Sequence, residues 1–295
     1  MSLNYLNPNI INQLDNLYLK AKTIVEGYMS GIHKSPYHGF SVEFSEHRAY
    51  GVGDEVKNID WKIWSKTDQF YIKRFEEETN LISHIFLDTS ASMNFSSNRI
   101  TKLEYSKIIA SALSYLMIKQ KDAVGFYAFD SKIKSAISPK GNKTHLINIL
   151  NEIERIKIGK DTNISKILHL GAEKIKKRGL IILISDLFDD PIAVMNSLKH
   201  FKYNNNEVLV FHVLDPLEIN LNYTQNTVFE DLETGEKIET EPWHIKLDYK
   251  QKMEQIIEYY RTECTINKID YNLLSLNDDL DYSLSKFLNK RQKSF

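Results

Sequence analysis

Leu81-Ile82-Ser83-His84-Ile85-Phe86-Leu87-Asp88-Thr89-Ser90-Ala91-Ser92-Met93 decides the fold of this 295-residue chain. Seven mostly apolar residues have the length of a buried strand, and a carboxylate ends them. Asp88, Ser90 and Ser92 then place one carboxylate and two hydroxyls on alternate residues of a tight loop. Such oxygen donors suit a hard divalent cation, which takes oxygen ligands in octahedral array.

Strands and helices alternate downstream. The pattern predicts helices at 102–120, 143–156, 164–177 and 191–201, and strands at 123–129, 180–185 and 207–214. An edge strand is expected at 132–137. Pro191 stands where proline costs little, in a helix's first turn. This alternation predicts an α/β fold with a doubly wound, mainly parallel sheet. Right-handed crossovers bring the carboxyl ends of the strands to one edge, where open α/β sheets bind ligands.

Two more segments reach that edge. Gly159-Lys160-Asp161-Thr162-Asn163-Ile164 opens a helix and carries a hydroxyl at Thr162, and the apolar run Leu180 to Ser185 ends in Asp186. Asp88 and Ser90 could each simply cap a turn. The three segments together point to a metal site made of Asp88, Ser90, Ser92, Thr162 and Asp186. Two carboxylates roughly balance a divalent ion. A coordination position left open could be filled by an acidic side chain from a partner.

Upstream, residues 11–29 carry apolar side chains at helical spacing, and 39–48 and 70–75 alternate like strands. Residues 1–80 are therefore expected to form an N-terminal helix and β segment packing on a sheet domain of residues 81–295. A polar insertion with a hairpin-like turn at Glu233-Thr234-Gly235-Glu236 spans about 215–246. Helix 249–263, strand 267–271 and helix 278–290 follow.

Bulk properties narrow the function classes. Lys+Arg 38 against Asp+Glu 39 leaves a formal net charge of -1, with no global pull toward nucleic acid. A 42% hydrophobic content supplies a full core. The first fifteen residues lack a basic region followed by an apolar run, so neither a signal peptide nor membrane insertion is expected. The single cysteine, Cys264, fits a reducing, cytoplasmic setting and reads as a buried small hydrophobe.

The order and spacing of the three loops resemble the metal-ion-dependent adhesion site (MIDAS) of von Willebrand factor type A domains. That resemblance implies Mg²⁺ or Mn²⁺ held by Asp88, Ser90, Ser92 and Thr162 directly or through water, with Asp186 acting through water. A second resemblance is more specific. Glu43-Phe44-Ser45-Glu46-His47-Arg48-Ala49-Tyr50, Gly53-Asp54, Ile59-Asp60-Trp61 and Phe75-Glu76-Glu77-Glu78 precede the Asp88-Thr89-Ser90-Ala91-Ser92-Met93 loop. With Leu183 to Asp190, they resemble the bacterial domain of unknown function family 58. It implies a non-enzymatic interaction module, an adaptor or chaperone-like partner of a MoxR-type AAA+ ATPase.

An enzyme reading is weaker. No G-x-S-x-G elbow or phosphate-cradling G-x-x-x-x-G-K-[ST] loop occurs. A metal-dependent hydrolase of phosphorylated substrates would need a base near the cation, such as Asp161 or Asp189. Arg48, Asp54, Asp60 and Trp61 read as a salt-bridged collar, or as a docking surface. His33, His38 and His47 could suggest a transition-metal site only if they converge. Lys286, Lys290, Arg291 and Lys293 read as a solvated face and tail.

Overall fold

In the computed structural model, residues 8–12, 14, 16–33, 47–49, 51, 64–65, 69–73, 81–97, 99–159, 162–223, 227–230, 237–240, 242–278, 280 and 285 are described. The chain divides into two compact units, residues 31–80 and residues 1–30 with 81–295. The smaller holds a two-stranded antiparallel ribbon, β1 (His47–Ala49) with β2 (Tyr71–Lys73). Asp54, Asp60, Trp61 and His38 lie outside the described residues.

The larger unit opens with α1 (Pro8–Ile11) and α2 (Leu17–His33). The predicted helix over 11–29 is interrupted here, and Asn16 Oδ1 accepts from Leu19 N at 2.8 Å to start the second piece. The order continues β3 (Ile82–Asp88), α3 (Lys102–Lys119), β4 (Ala123–Phe129), β5 (Ile133–Lys140), α4 (Lys143–Arg155), α5 (Ile164–Lys174) and β6 (Leu180–Ser185). After these come α6 (Pro191–Tyr203), β7 (Glu207–Leu214), α7 (Pro216–Asn220), a β8–β9 hairpin (Thr227–Glu230 with Lys237–Thr240), α8 (Pro242–Ile266) and β10 (Asp270–Ser275).

Six strands form the main sheet in the order β10-β7-β6-β3-β4-β5. All neighbours run parallel except the edge pair β4–β5. The expectation of a doubly wound, mainly parallel sheet of von Willebrand factor type A type holds, with an N-terminal helix, a small ribbon and a small β insertion. β3 lies inside the sheet, and its Ile85, Phe86 and Leu87 are fully buried. Apolar burial on both faces is what a parallel strand covered by helices requires.

Local chemistry sets the helix starts. Thr101 and Glu104 form a reciprocal capping box at α3: Glu104 N donates to Thr101 Oγ1 at 3.1 Å and Thr101 N to Glu104 Oε2 at 3.0 Å. Asn142, Asn163 and Asp190 cap α4, α5 and α6 through their side chains. α3 is buried on most of its surface. Tyr18 of α2 meets Tyr115 of α3 edge-on, with centroids 5.8 Å apart.

The polar stretch after β7 is more structured than its composition suggests. Asp215 and Glu218 form a second capping box over α7. α8 starts at Pro242 and runs to Ile266, so β10 begins later than the predicted strand at 267. Lys268, with φ 55°, makes the turn between them.

Candidate metal centre

Parallel neighbours β3 and β6 end at the same edge of the sheet, and Asp88 and Asp186 stand at their carboxyl ends. Asp88, the last residue of β3, is fully buried. Its Oδ1 accepts from Ser90 N at 2.9 Å and its Oδ2 from Ser185 Oγ at 2.6 Å. The loop after it is fastened to the neighbouring strand, because Thr89 N and Thr89 Oγ1 both donate to Phe129 O at 2.8 Å. Ser90 and Ser92 then bring their hydroxyl oxygens within 3.0 Å of each other.

Burial, followed by the charge of Asp186, pushes the Asp88 carboxyl up to about 7, although bonds from Ser185 and Ser90 pull the other way. Asp186 follows β6 directly and is also fully buried. Its carbonyl oxygen takes a 2.8 Å hydrogen bond from His212 Nε2, while Tyr271 Oη lies 2.7 Å from the opposite ring nitrogen. Burial holds the His212 ring down to about 4, so it stays neutral at pH 7 and serves as a strut for the Asp186 backbone.

Thr162 belongs to the loop before α5. That loop is tied to the first one by a 2.6 Å hydrogen bond from Gly159 N to Thr89 O. A Cβ at Gly159 would crowd the Asp130 and Lys134 side chains, which would have to shift. The Thr162 Oγ1 atom is buried and has no hydrogen-bond partner among the described residues. An orphaned hydroxyl of this kind costs about 1–3 kcal/mol unless something fills its lone pairs. Asp161 lies outside the described residues.

Three participants escape a sequence reading. Lys102, the first residue of α3, is completely buried. Its Nζ donates to Asp186 Oδ2 at 2.7 Å and to Glu218 Oε1 at 2.5 Å, and sits 4.7 Å from the centre of the Phe188 ring. Burial by itself would lower the Lys102 amine, but Asp186 and Glu218 more than offset it and raise it. Burial raises Glu218 while Lys102 opposes that rise. Ser185, holding Asp88 Oδ2, is the third.

The donor chemistry fits a hard divalent cation. Asp88, Asp186 and Glu218 supply three carboxylates and Lys102 one ammonium, so with all ionised the cluster carries 1 − 3 = −2. A bound divalent cation would favour the ionised form of the Asp88 carboxyl, which burial otherwise holds up near neutral pH. Hydroxyls at Ser90, Ser92 and Thr162 add ligands without adding charge. Asp189, the candidate hydrolytic base, is committed elsewhere: its Oδ2 accepts from Ser165 N at 3.2 Å and its Oδ1 from Asp190 N at 2.7 Å.

A family model described as "Protein of unknown function DUF58" matches residues 46–256. An uncharacterized protein of Mycobacterium tuberculosis is 24% identical over 232 residues, spanning 78% of this chain and 73% of its own. An uncharacterized protein of Mycobacterium bovis matches to the same extent. Among solved structures, the conserved hypothetical protein BatB from Bacteroides thetaiotaomicron superposes with TM-score 0.49 at 20% identity, covering 72% of this chain and 99% of that one. An aerotolerance-related membrane protein from Bacteroides fragilis gives TM-score 0.49 at 19% identity, covering 73% and 100%.

Proposed function

Since the chain belongs to the DUF58 family of proteins of unknown function, we propose that it is a non-enzymatic, metal-dependent protein-interaction module that presents Mg²⁺ or Mn²⁺ at the sheet edge. Asp88, Ser90, Ser92 and Thr162 would hold the cation directly or through water, and Asp186 through water. The cation, when bound, supplies a Lewis-acidic position that an acidic side chain of a partner can complete.

The observation that carries this reading is the pairing of two buried, neighbouring carboxylates with the Ser90 and Ser92 hydroxyls; it is supported by the buried Thr162 hydroxyl, which has no partner among the described residues and lies in a loop tied to Thr89. The rim supports docking by a protein. Phe188 and Ile192 follow Asp186 closely and are 37% and 62% exposed, an apolar border beside a polar centre. Hydrophobic contacts around a fully desolvated polar pair are how protein interfaces gain affinity. The proposed partner is a MoxR-type AAA+ ATPase or its client, and the proposed setting is cytoplasmic. Among the described residues no helix is long and apolar enough to cross a membrane.

Calorimetric titration of Mg²⁺ and Mn²⁺ into metal-free protein, alongside Asp88→Ala, tests the site. Saturable binding by the wild type that disappears in the variant is expected, with the variant's thermal unfolding preserved. Removing Asp88 takes away a carboxylate that Asp186 repels, so the fold should survive. A wild type that binds neither ion overturns the reading. Co-precipitation of a purified MoxR-type ATPase by the wild type in Mg²⁺, but not in chelator, tests the partner.

A further inference from the structure

His169 on α5 and His200 on α6 face each other across the seam between the helices. Their Nδ1 atoms are 3.3 Å apart and their ring centroids 4.9 Å apart. The register that sets them opposite is clamped twice: Ser197 Oγ donates to Ser165 O at 2.8 Å, and Asn204 Nδ2 donates to Ala172 O at 3.0 Å. Gly171 lets the helices approach, since a Cβ there would lie 2.9 Å from Phe86 Cζ and 3.2 Å from Phe201 Cζ. Donors on rigid, packed helices hold a geometry better than donors on loops.

The far nitrogen of His169, Nε2, lies 3.5 Å from Glu173 Oε1, one helical turn away. A carboxylate there favours the tautomer with hydrogen on Nε2, which turns the Nδ1 lone pair toward His200. Without a cation, a hydrogen on either Nδ1 lets one ring donate to the other across the seam. With both protons on Nε2, each Nδ1 keeps a lone pair free for a metal, with the two nitrogens 3.3 Å apart. Zinc–nitrogen bonds are about 2.0–2.1 Å long, so two nitrogens in a tetrahedral shell stand about 3.3 Å apart. Metal-bound histidines commonly keep a carboxylate on their other ring nitrogen.

We propose that His169 and His200 form a surface site for a borderline transition ion, Zn²⁺ or Cu²⁺, with Glu173 orienting His169 from behind. His169 is 56% exposed, so an ion reaches the pair without any opening of the fold. The described residues contain no group of three or more His, Cys, Asp or Glu poised around a metal. This site therefore has two protein ligands, and its other positions take water or a partner's donor. Nitrogen donors select against Mg²⁺, which keeps the pair separate from the oxygen-lined sheet edge.

The test is calorimetric titration of Zn²⁺ into the untagged full-length chain in excess Mg²⁺, with His169→Ala, His200→Ala, Glu173→Gln and Asp88→Ala compared. One saturable zinc site is expected in the wild type and unchanged in Asp88→Ala. It should vanish in either histidine variant and weaken about tenfold in Glu173→Gln. Cu²⁺ electron paramagnetic resonance should show two coupled nitrogens in the wild type, a signature absent from each histidine variant. No saturable zinc binding by the wild type, an isotherm unchanged in His200→Ala, or one lost in Asp88→Ala would each overturn the assignment.

Discussion

Lys102 Nζ lies 2.7 Å from Asp186 Oδ2, and neither side chain retains any exposure to water. This ion pair joins the first turn of α3 to the end of β6, and the second bond of Lys102, to Glu218, extends it to α7. The ammonium thus neutralises one of the carboxylates at the sheet edge from inside the protein. Lys102→Met should leave Asp186 and Glu218 buried without a counter-charge, which costs about 3–5 kcal/mol. Urea unfolding of metal-free protein measures this. A Lys102→Met/Glu218→Gln double variant should recover part of the loss, and a loss below 1 kcal/mol in the single variant would refute the description of Lys102 as an integral counter-ion.

Thr162 separates metal binding from stability. Its buried hydroxyl has no partner among the described residues, so Thr162→Val removes an unsatisfied group and nearly preserves shape. Metal-free stability should stay the same or rise by about 1 kcal/mol. Affinity for Mg²⁺ should fall because an oxygen ligand has gone. Thermal melts without metal and calorimetry with it give the two readings, and an unaltered Mg²⁺ affinity would remove Thr162 from the ligand set.

How far the sequence revealed this architecture depends on how local each signal is. β4, β6 and β7 stand at the predicted residues because buried parallel strands are apolar runs with abrupt polar ends. The start of α8 is less visible: residues 244–248 are all exposed, including Ile245 and Leu247, so apolar positions there do not mark a buried face. Asp88, Ser90 and Ser92 are legible as a compact motif. Lys102 is not, because a lysine at a helix start reads as solvated. Its burial comes from Asp186 and Glu218, 84 and 116 residues away in sequence. His169 and His200 are 31 residues apart and meet only when α5 and α6 pack.

Cys264 faces Met195 inside the core, with its Sγ 3.8 Å from the thioether sulfur. Burial, helped by Glu263 and Asp270, pushes its thiol up to about 12. At pH 8 the native protein should therefore react with a disulfide reagent orders of magnitude more slowly than urea-unfolded protein, since the thiolate is the nucleophile. Rapid stoichiometric reaction of the native chain would show that the segment around Cys264 opens readily.

His84 gives the fold a dependence on pH that lies away from the sheet edge. It sits within β3, its Nδ1 is buried without a partner among the described residues, and its ring centroid is 5.8 Å from that of Tyr127. Burial lowers it from 6.5 to about 4. Between those values the unfolded chain binds the proton and the folded chain does not, so acid favours unfolding. The stabilisation is whole above pH 6.5, declines by about 1.4 kcal/mol per pH unit below it, and is gone once pH passes below 4. His212, lowered to about 4 as well, titrates in the same direction. A difference between wild type and His84→Phe isolates one of the two. From pH 7 to pH 5 the variant should lose about 2 kcal/mol less than the wild type in urea unfolding. Parallel stability curves over that range would mean that His84 is solvated in the native state or already protonated there.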